Sequence, residues 1–228
     1  ANMDPNHRDR LAFVKIVSGI FKRNTNYLHV KLDKKMKFSS PNAFFAEKKE
    51  IVEESYPGDI VGLHDTGSFS IGDTLTEGEI LEFKGVPSFS PEHFRYVNNA
   101  DPMKAKQLFK GLDQLMDEGV AQLFTLDLNG RKVIGTVGAL QFEVIQYRLE
   151  HEYNAKCTYE SINIHKACWV DPENPKNAEF EEFKRVKQRY LARDKKGQLV
   201  FLADSAFTVQ MTQDKYPSVK LRFVSEFD

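Results

Sequence analysis

The pattern of apolar and polar positions changes character near residue 90. Before it, the chain reads as short strands between turns. Leu11–Gly19 alternates in part and ends in glycine. Tyr27–Leu32 alternates cleanly, with Tyr27, His29 and Lys31 on one face and Leu28, Val30 and Leu32 on the other. A period of two with aromatic and β-branched residues predicts a half-buried strand. Lys35–Phe38, Ala43–Ala46 and Asp59–Leu63 continue the series, and Ile71–Leu75 adds a turn and a short strand. The breaks fall at Ser39-Ser40-Pro41-Asn42, Tyr56-Pro57-Gly58-Asp59 and Asp65-Thr66-Gly67. Short strands with Gly/Pro turns at regular spacing predict a β-barrel domain over residues 1–88. Lys84–Pro91, rich in Pro, Gly and Ser, reads as the linker.

Beyond the linker, helical periods appear. His93–Val97 is a short strand. Asp101 or Asn99 caps the next helix, with Pro102 tolerated in its first turn. Ala105, Leu108, Leu112, Leu115 and Met116 share one helical face, and Gly119 ends the helix. Val120–Leu128 and Arg131–Val137 flank Asn129-Gly130, a strong hairpin signal. Gly138 opens a second helix with Phe142, Ile145 and Leu149 at helical spacing, Asn154 ends it, and Lys156–Ile164 is a fourth strand. The order βαββαβ over about 93–164 predicts an α+β, ferredoxin-like domain. A C-terminal α/β extension, 165–228, completes a second domain of residues 89–228. Its expected elements are strand Ala167–Val170, a turn at Asp171–Pro175, a helix over Asn177–Asp194 burying Phe180, Phe183, Val186 and Tyr190, and strands at Gln198–Ala203, Ala206–Met211 and Val219–Val224. This tail is expected to extend the preceding sheet.

Composition narrows the classes. Hydrophobic residues at 41% and charged residues at 29% are those of a folded globular chain. With 32 basic residues against 33 acidic ones, overall charge selects no partner, and local clusters must decide. Cys157 and Cys168 form no CxxC pair and suit a reducing, cytoplasmic setting. No apolar run reaches membrane-spanning length, so no membrane partner is expected. The start Ala1-Asn2 before Met3 reads as the scar of a cleaved tag. Nothing in the sequence calls for an oligomer, and a monomer is expected.

Candidate chemistry is sparse. Gly62–Ser68 has the glycine spacing of a phosphate loop, but Ser68 stands where the lysine belongs and Phe69 where the magnesium-binding hydroxyl belongs. Gly130–Gly135 fails in the same way. His64-Asp65 lacks a nucleophile in a recognisable elbow. His151 and His165 near Cys157 and Cys168 lack metal-ligand spacing. Lys48, Lys49, Glu50, Glu53 and Glu54 read as a solvated face or turn. No catalytic, cofactor-binding or metal residue is therefore assigned, and this chain is not expected to be an enzyme. Two basic clusters are candidates for phosphate contact: Lys31, Lys34, Lys35 and Lys37, and Lys184, Arg185, Lys187, Arg189 and Arg193 with Lys195 and Lys196. Glu179, Glu181 and Glu182 precede the second set on the expected tail helix, so complementing the helix dipole is its structural alternative.

Several segments carry a family likeness. Ala12–Ile16, Met36–Pro41, Tyr56–Leu63 and Ile71–Leu75, with Gly67 and Gly78 in order, resemble the second domain of translational GTPases. Lys106–Leu115, Glu118-Gly119, Val137–Val144, Tyr159-Glu160-Ser161 and Ala167–Val170 resemble the bacterial peptide chain release factor 3 family. The segment around Gly138–Val144 is shared in outline with elongation factor G, and a protein-interaction module of such a factor is the alternative. The resemblance implies a protein that binds GTP or GDP with Mg through a separate GTPase domain. The motifs of that domain are absent from this sequence. It further implies a role in translation termination: removing class-one release factors from the ribosome after peptide release. This chain would supply the second and third domains, which meet the small subunit's RNA and protein and the protein's own GTPase domain. No DNA partner is implied, and no catalytic residue carries over.

Overall fold

A computed structural model describes residues 2–3, 10–45, 48–66, 68–81, 83, 88–172 and 175–225. The chain divides into two compact units, Ala1–Val86 and Pro87–Asp228. Gly67, the first half of the Lys84–Pro91 linker and part of the turn before Pro175 lie outside the described residues.

Among its described residues the first unit holds ten short strands: β1 (Asn2–Met3), β2 (Arg10–Lys15), β3 (Phe21–Lys22), β4 (Asn26–His29), β5 (Lys34–Lys37), β6 (Asn42–Phe45), β7 (Lys48–Ile51), β8 (Glu54–Ser55), β9 (Ile60–Asp65) and β10 (Leu75–Thr76). They form sheets ordered β1-β2-β9-β6-β7, β10-β4-β5 and β3-β8. Ala12, Phe21, Tyr27, Phe38, Val61 and Leu63, drawn from all three sheets, line one core. The arrangement is barrel-like, but none of the described sheets closes into the expected barrel. Tyr27 and His29, rather than the Leu28 face, point into the core, and Leu32 is half exposed. Of the mixed-charge run read as a solvated face or turn, Lys48–Glu50 lie in strand β7 paired to β6, with Glu50, Glu53 and Glu54 exposed. There cross-strand pairing outweighs the weak strand propensity of Lys and Glu.

The second unit begins with β11 (Ser88–Phe89) and β12 (His93–Asn99), followed by α1 (Ala105–Asp117), β13 (Gln122–Leu126), β14 (Lys132–Thr136), α2 (Gln141–Tyr153) and β15 (Cys157–Ser161). Asp101 accepts a hydrogen bond from the Met103 amide and caps the 3-10 turn Pro102–Lys104 that leads into α1. Gly119 and Gly130 adopt left-handed φ values of 72° and 69°, and Asn154 ends α2 at φ 50°. These are the conformations their sequence positions require.

The extension departs from expectation. It comprises β16 (Lys166–Pro172), α3 (Ala178–Lys187), β17 (Leu191–Arg193), β18 (Leu199–Ala203), α4 (Ala206–Lys215), β19 (Val219–Arg222) and β20 (Val224–Ser225). The helix expected over Asn177–Asp194 stops at Lys187 and passes through a 3-10 turn, Gln188–Tyr190, into β17. Leu191 and Ala192 are both fully buried, on opposite faces of a strand held between β13 and β18. That pairing overrides the helical propensity of the Lys/Arg/Gln run. Val186 and Tyr190, expected in the core, are 52% and 37% exposed. Ala206–Met211 is helix α4, not a strand. The Ser205 hydroxyl caps it by accepting from the Thr208 amide at 3.1 Å, so Val209 and Thr212 face inward.

With those corrections the extension is a second βαββαβ unit. The single eight-stranded sheet runs β15-β12-β14-β13-β17-β18-β16-β19. Each half has the ferredoxin-like order 4-1-3-2, and the halves join antiparallel through their second strands, β13 and β17. Two helices cover one face of each half. Leu108, Leu112, Ile134, Phe142, Ile145 and Leu149 make the first core; Phe183, Phe201, Val209, Tyr216 and Leu221 contribute to the second. The helix-free faces share a third core containing Phe124, Val133, Ala167, Trp169, Ala192 and Val200. In a flat sheet β12 and β16 would lie about 24 Å apart at about 4.8 Å per strand. Yet the Ser90 hydroxyl, just before β12, donates to the Ala167 carbonyl on β16 at 3.3 Å, and β11 pairs with β20. The sheet therefore curls so that the two helix-free faces cover each other. Packing there is tight: a Cβ on Gly135 would sit 2.6 Å from the Pro91 ring.

Candidate functional site

Lys34, Lys35 and Lys37 lie along β5, and Lys31 in the turn before it, all exposed on one hairpin. Met36 alone in that run is half-buried and packs against the core, which orients the strand. Lys34, Lys35 and Lys37 make no ion pair among the described residues. This first cluster forms a compact cationic edge.

The second cluster does not share one helix face, because the helix ends early. Lys184 pairs with Glu181 at 2.6 Å and lies over the Phe180 ring. Lys187 lies over Phe201. Arg193, on β17, pairs with Asp127 at 3.3 Å, and Lys195 with Asp117 at 2.5 Å. Arg185 and Arg189 are exposed and make no ion pair among the described residues, though Arg185 lies near enough to Glu182 to help hold that carboxyl below its usual range, after Lys215. Much of the local positive charge is thus met by neighbouring carboxylates.

Among the described residues of the glycine run Gly62–Ser68, the first belong to β9, and the Ser68 amide, with that of Phe69 just after the run, donates to the Asp65 carboxylate at 2.7 and 3.3 Å. A buried carboxylate occupies the position where a nest for an anion would need free N–H groups. Phe69 is buried. These residues do not fit a guanine nucleotide or its magnesium ion. Gly130–Gly135 is a hairpin turn and strand, with Gly135 paired to Phe94 and Gln122.

His64 and Asp65 point to opposite faces of β9, His64 exposed and Asp65 2% exposed. The histidine–carboxylate pair that does exist escaped the sequence reading, because its members are 44 residues apart. His29 Nε2 lies 3.1 Å from Asp73 Oδ2, and His29 Nδ1 accepts from the Leu32 amide at 3.3 Å. The proton therefore sits on Nε2, directed at Asp73. The Ser70 amide donates to the same carboxylate oxygen at 2.7 Å, and the imidazole packs on Phe69 at 5.1 Å. With side-chain exposures of 0% and 4%, the pair fastens the loop at 69–74 to β4.

Cys157 and Cys168 are free thiols in different cores. Burial pushes the Cys168 thiol up to about 12 and raises Cys157 as well. Glu53 and Glu54 pair with Arg23 and Lys22 across β3 and β8. Arg148 on α2 grips Glu118 at the end of α1 through two nitrogens, at 2.5 and 3.2 Å, and Glu152 through two more contacts. In the segment Val137–Val144, the Gln141 side-chain oxygen accepts from the Val137 and Gly138 amides at 2.9 and 3.1 Å, fixing the turn into α2. The same helix presents Leu140, Val144 and Tyr147 outward at helical spacing, 49–72% exposed.

Residues 1–78 match elongation factor G domain 2. Residues 83–213 match the family described as class II release factor RF3, C-terminal domain. A crystal structure of a protein from Thermus thermophilus aligns with a TM-score of 0.60 at 16% identity, over 75% of this chain and 26% of that one, a likeness of fold. The chain thus spans about a quarter of that protein. A barrel-like domain of the elongation factor G type joined to a mixed α/β domain defines a module of the translational GTPases. Within that class, the chain belongs to the class II release factor RF3 family, whose C-terminal domain matches more than half of it.

Proposed function

We propose that this chain is the ribosome-facing part of a termination GTPase, acting when class-one release factors leave the ribosome after peptide release. The match of residues 83–213 to the release-factor C-terminal domain carries the reading. In it, the barrel-like unit and the α/β unit meet RNA and protein of the small subunit and transmit the state of the protein's own GTPase domain. GTP or GDP with magnesium belongs to that GTPase domain, and the protein works as a cytoplasmic monomer. The chain itself is not an enzyme in this reading. The turn after β9 supports that, since the Ser68 and Phe69 amides are committed to the Asp65 carboxylate.

Cosedimentation with small ribosomal subunits tests the proposal. Binding at low salt that weakens as salt rises is the expected result, because phosphate contacts release counterions. Charge reversal at Lys34, Lys35 and Lys37, or at Arg185 and Arg189, weakens it further. Absence of binding at low salt overturns the reading. Calorimetry with GTP and GDP is expected to give no heat of binding, and tight binding would refute the assignment of nucleotide chemistry elsewhere.

A further inference from the structure

A shallow cleft of about 110 Å³ opens where the two βαββαβ units and their connection meet. Its floor is Leu126 of the first βαββαβ half and Leu202 of the second, both buried, beside Ile162 and Ile164 of the connection. Tyr96 and Tyr190 supply aromatic walls, Asn163 comes from the connection, and Arg189 stands at the side. Three properties define what fits. The floor and walls are apolar and partly aromatic, so they favour a flat ring. The Asn163 amide is exposed and makes no hydrogen bond among the described residues, so it offers a donor and an acceptor to a ring edge. The Arg189 guanidinium, exposed and without a carboxylate partner among the described residues, offers a cation beside the ring.

The Tyr96 wall is itself set in place. The Arg131 guanidinium stacks 3.5 Å from its ring centroid and is held from the other side by Glu160. Tyr190 is braced edge-on against Phe201 at 6.4 Å. The early end of α3 creates the site, since a helix continuing past Lys187 would carry Arg189 and Tyr190 elsewhere.

The geometry points to a binding site for one unstacked base of single-stranded RNA: the base lies against Tyr190 and Tyr96, Asn163 reads its edge, and Arg189 contacts the adjoining phosphate. This rests on the ribosome-facing reading and specifies which kind of ribosomal element the second unit takes. A planar ring, an edge with donors and acceptors, and an anion one bond beyond the sugar occur together in a nucleotide. An aromatic side chain of a protein would leave Arg189 and Asn163 unused.

The probe is a short oligouridylate carrying one central 2-aminopurine, whose fluorescence falls when the base stacks. Titration with the chain at low salt is expected to quench it saturably. Tyr190→Leu keeps an apolar wall without a ring and is expected to weaken binding about tenfold, the fold-change of one base–aromatic stack. Tyr190→Phe is expected to restore it. Arg189→Gln is expected to reduce the slope of log affinity against log salt by about one. Circular dichroism of each variant checks that it is folded. An absence of quenching by the wild-type chain, or equal quenching by folded Tyr190→Leu, overturns the proposal. Cosedimentation with small subunits, run in parallel, separates the two readings: binding to subunits without quenching removes the cleft and leaves the ribosome-facing role standing. Crosslinks from Asn163 that reach only ribosomal protein would also overturn it.

Discussion

Gly111→Ala sets two known effects against each other. Gly111 lies inside α1, where alanine gains about 1 kcal/mol of helix propensity over glycine. On the other side of the balance stands α2. A Cβ at Gly111 would come within 2.8 Å of Leu149 Cδ2, 2.8 Å of Tyr153 Cγ and 3.0 Å of Tyr153 Cδ2. Leu149 is fully buried, and Tyr153 Cγ is the root of its ring, so neither yields by turning a free end. Overpacking of this kind costs about 1–3 kcal/mol, and relief requires α1 and α2 to separate. The net expectation is a destabilisation of up to about 2 kcal/mol, the overpacking cost less the propensity gain. Trp169 is the one tryptophan and lies in the second unit, so its fluorescence follows that unit's unfolding in urea. The midpoint is expected to fall at unchanged slope. Leu149→Ala frees the space and should make the double variant less unstable than the sum of the singles. A midpoint that rises for Gly111→Ala, or strict additivity in the cycle, refutes the reasoning.

Arg148→Met is expected to cost about 3 kcal/mol, because Glu118, 5% exposed at its side chain, is left in place without its guanidinium; a urea midpoint within about 0.5 kcal/mol of wild type, converted with the slope, would contradict this. The raised Cys168 pKa predicts an alkaline dependence. Folding favours the neutral thiol, so its contribution is complete below about pH 9 and fades as pH climbs towards 12. Stability measured from about pH 8 to 11 should fall less steeply for Cys168→Ala than for wild type, and parallel curves would exclude the effect. Ser205→Ala is expected to cost about 1 kcal/mol through the lost α4 cap, read by the same tryptophan; no change would mean the cap is dispensable.

The first βαββαβ unit was legible because its punctuation is local. Gly119, Asn129-Gly130 and Asn154 each mark a boundary, and Leu108, Leu112 and Leu115 keep one helical period. Its repeat was hidden because the deciding interactions are not local. The run from Lys184 to Tyr190 is good helix sequence, and only pairing of Leu191–Arg193 with β13 and β18 ends it. Phe207, Val209 and Met211 alternate as a strand would, yet Phe207 and Met211 are exposed on helix α4. The overlooked signal was Ser205, a cap residue in the right place. The charge pairing of the second basic cluster was not legible either, since Asp117 and Asp127 come from the other βαββαβ unit.

The repeat also limits where partners can bind. A single ferredoxin-like unit leaves one sheet face without helices, and such faces commonly bind ligands. Here the curled sheet turns both helix-free faces inward, where Phe124, Val133, Trp169 and Val200 exclude solvent. The second unit must therefore engage its partners with the outer helix surfaces or with the rim where its halves meet. The outer surfaces offer Leu140, Val144 and Tyr147 on α2 and Phe207 and Met211 on α4, apolar groups suited to protein. Arg185 is exposed near the end of α3 and Arg189 stands at the rim, both without an ion pair among the described residues. Charge and apolar surface are thus segregated on the same unit. If the proposed reading holds, the rim is where that unit would meet RNA, and the exposed apolar groups of α2 and α4 are where it would meet protein.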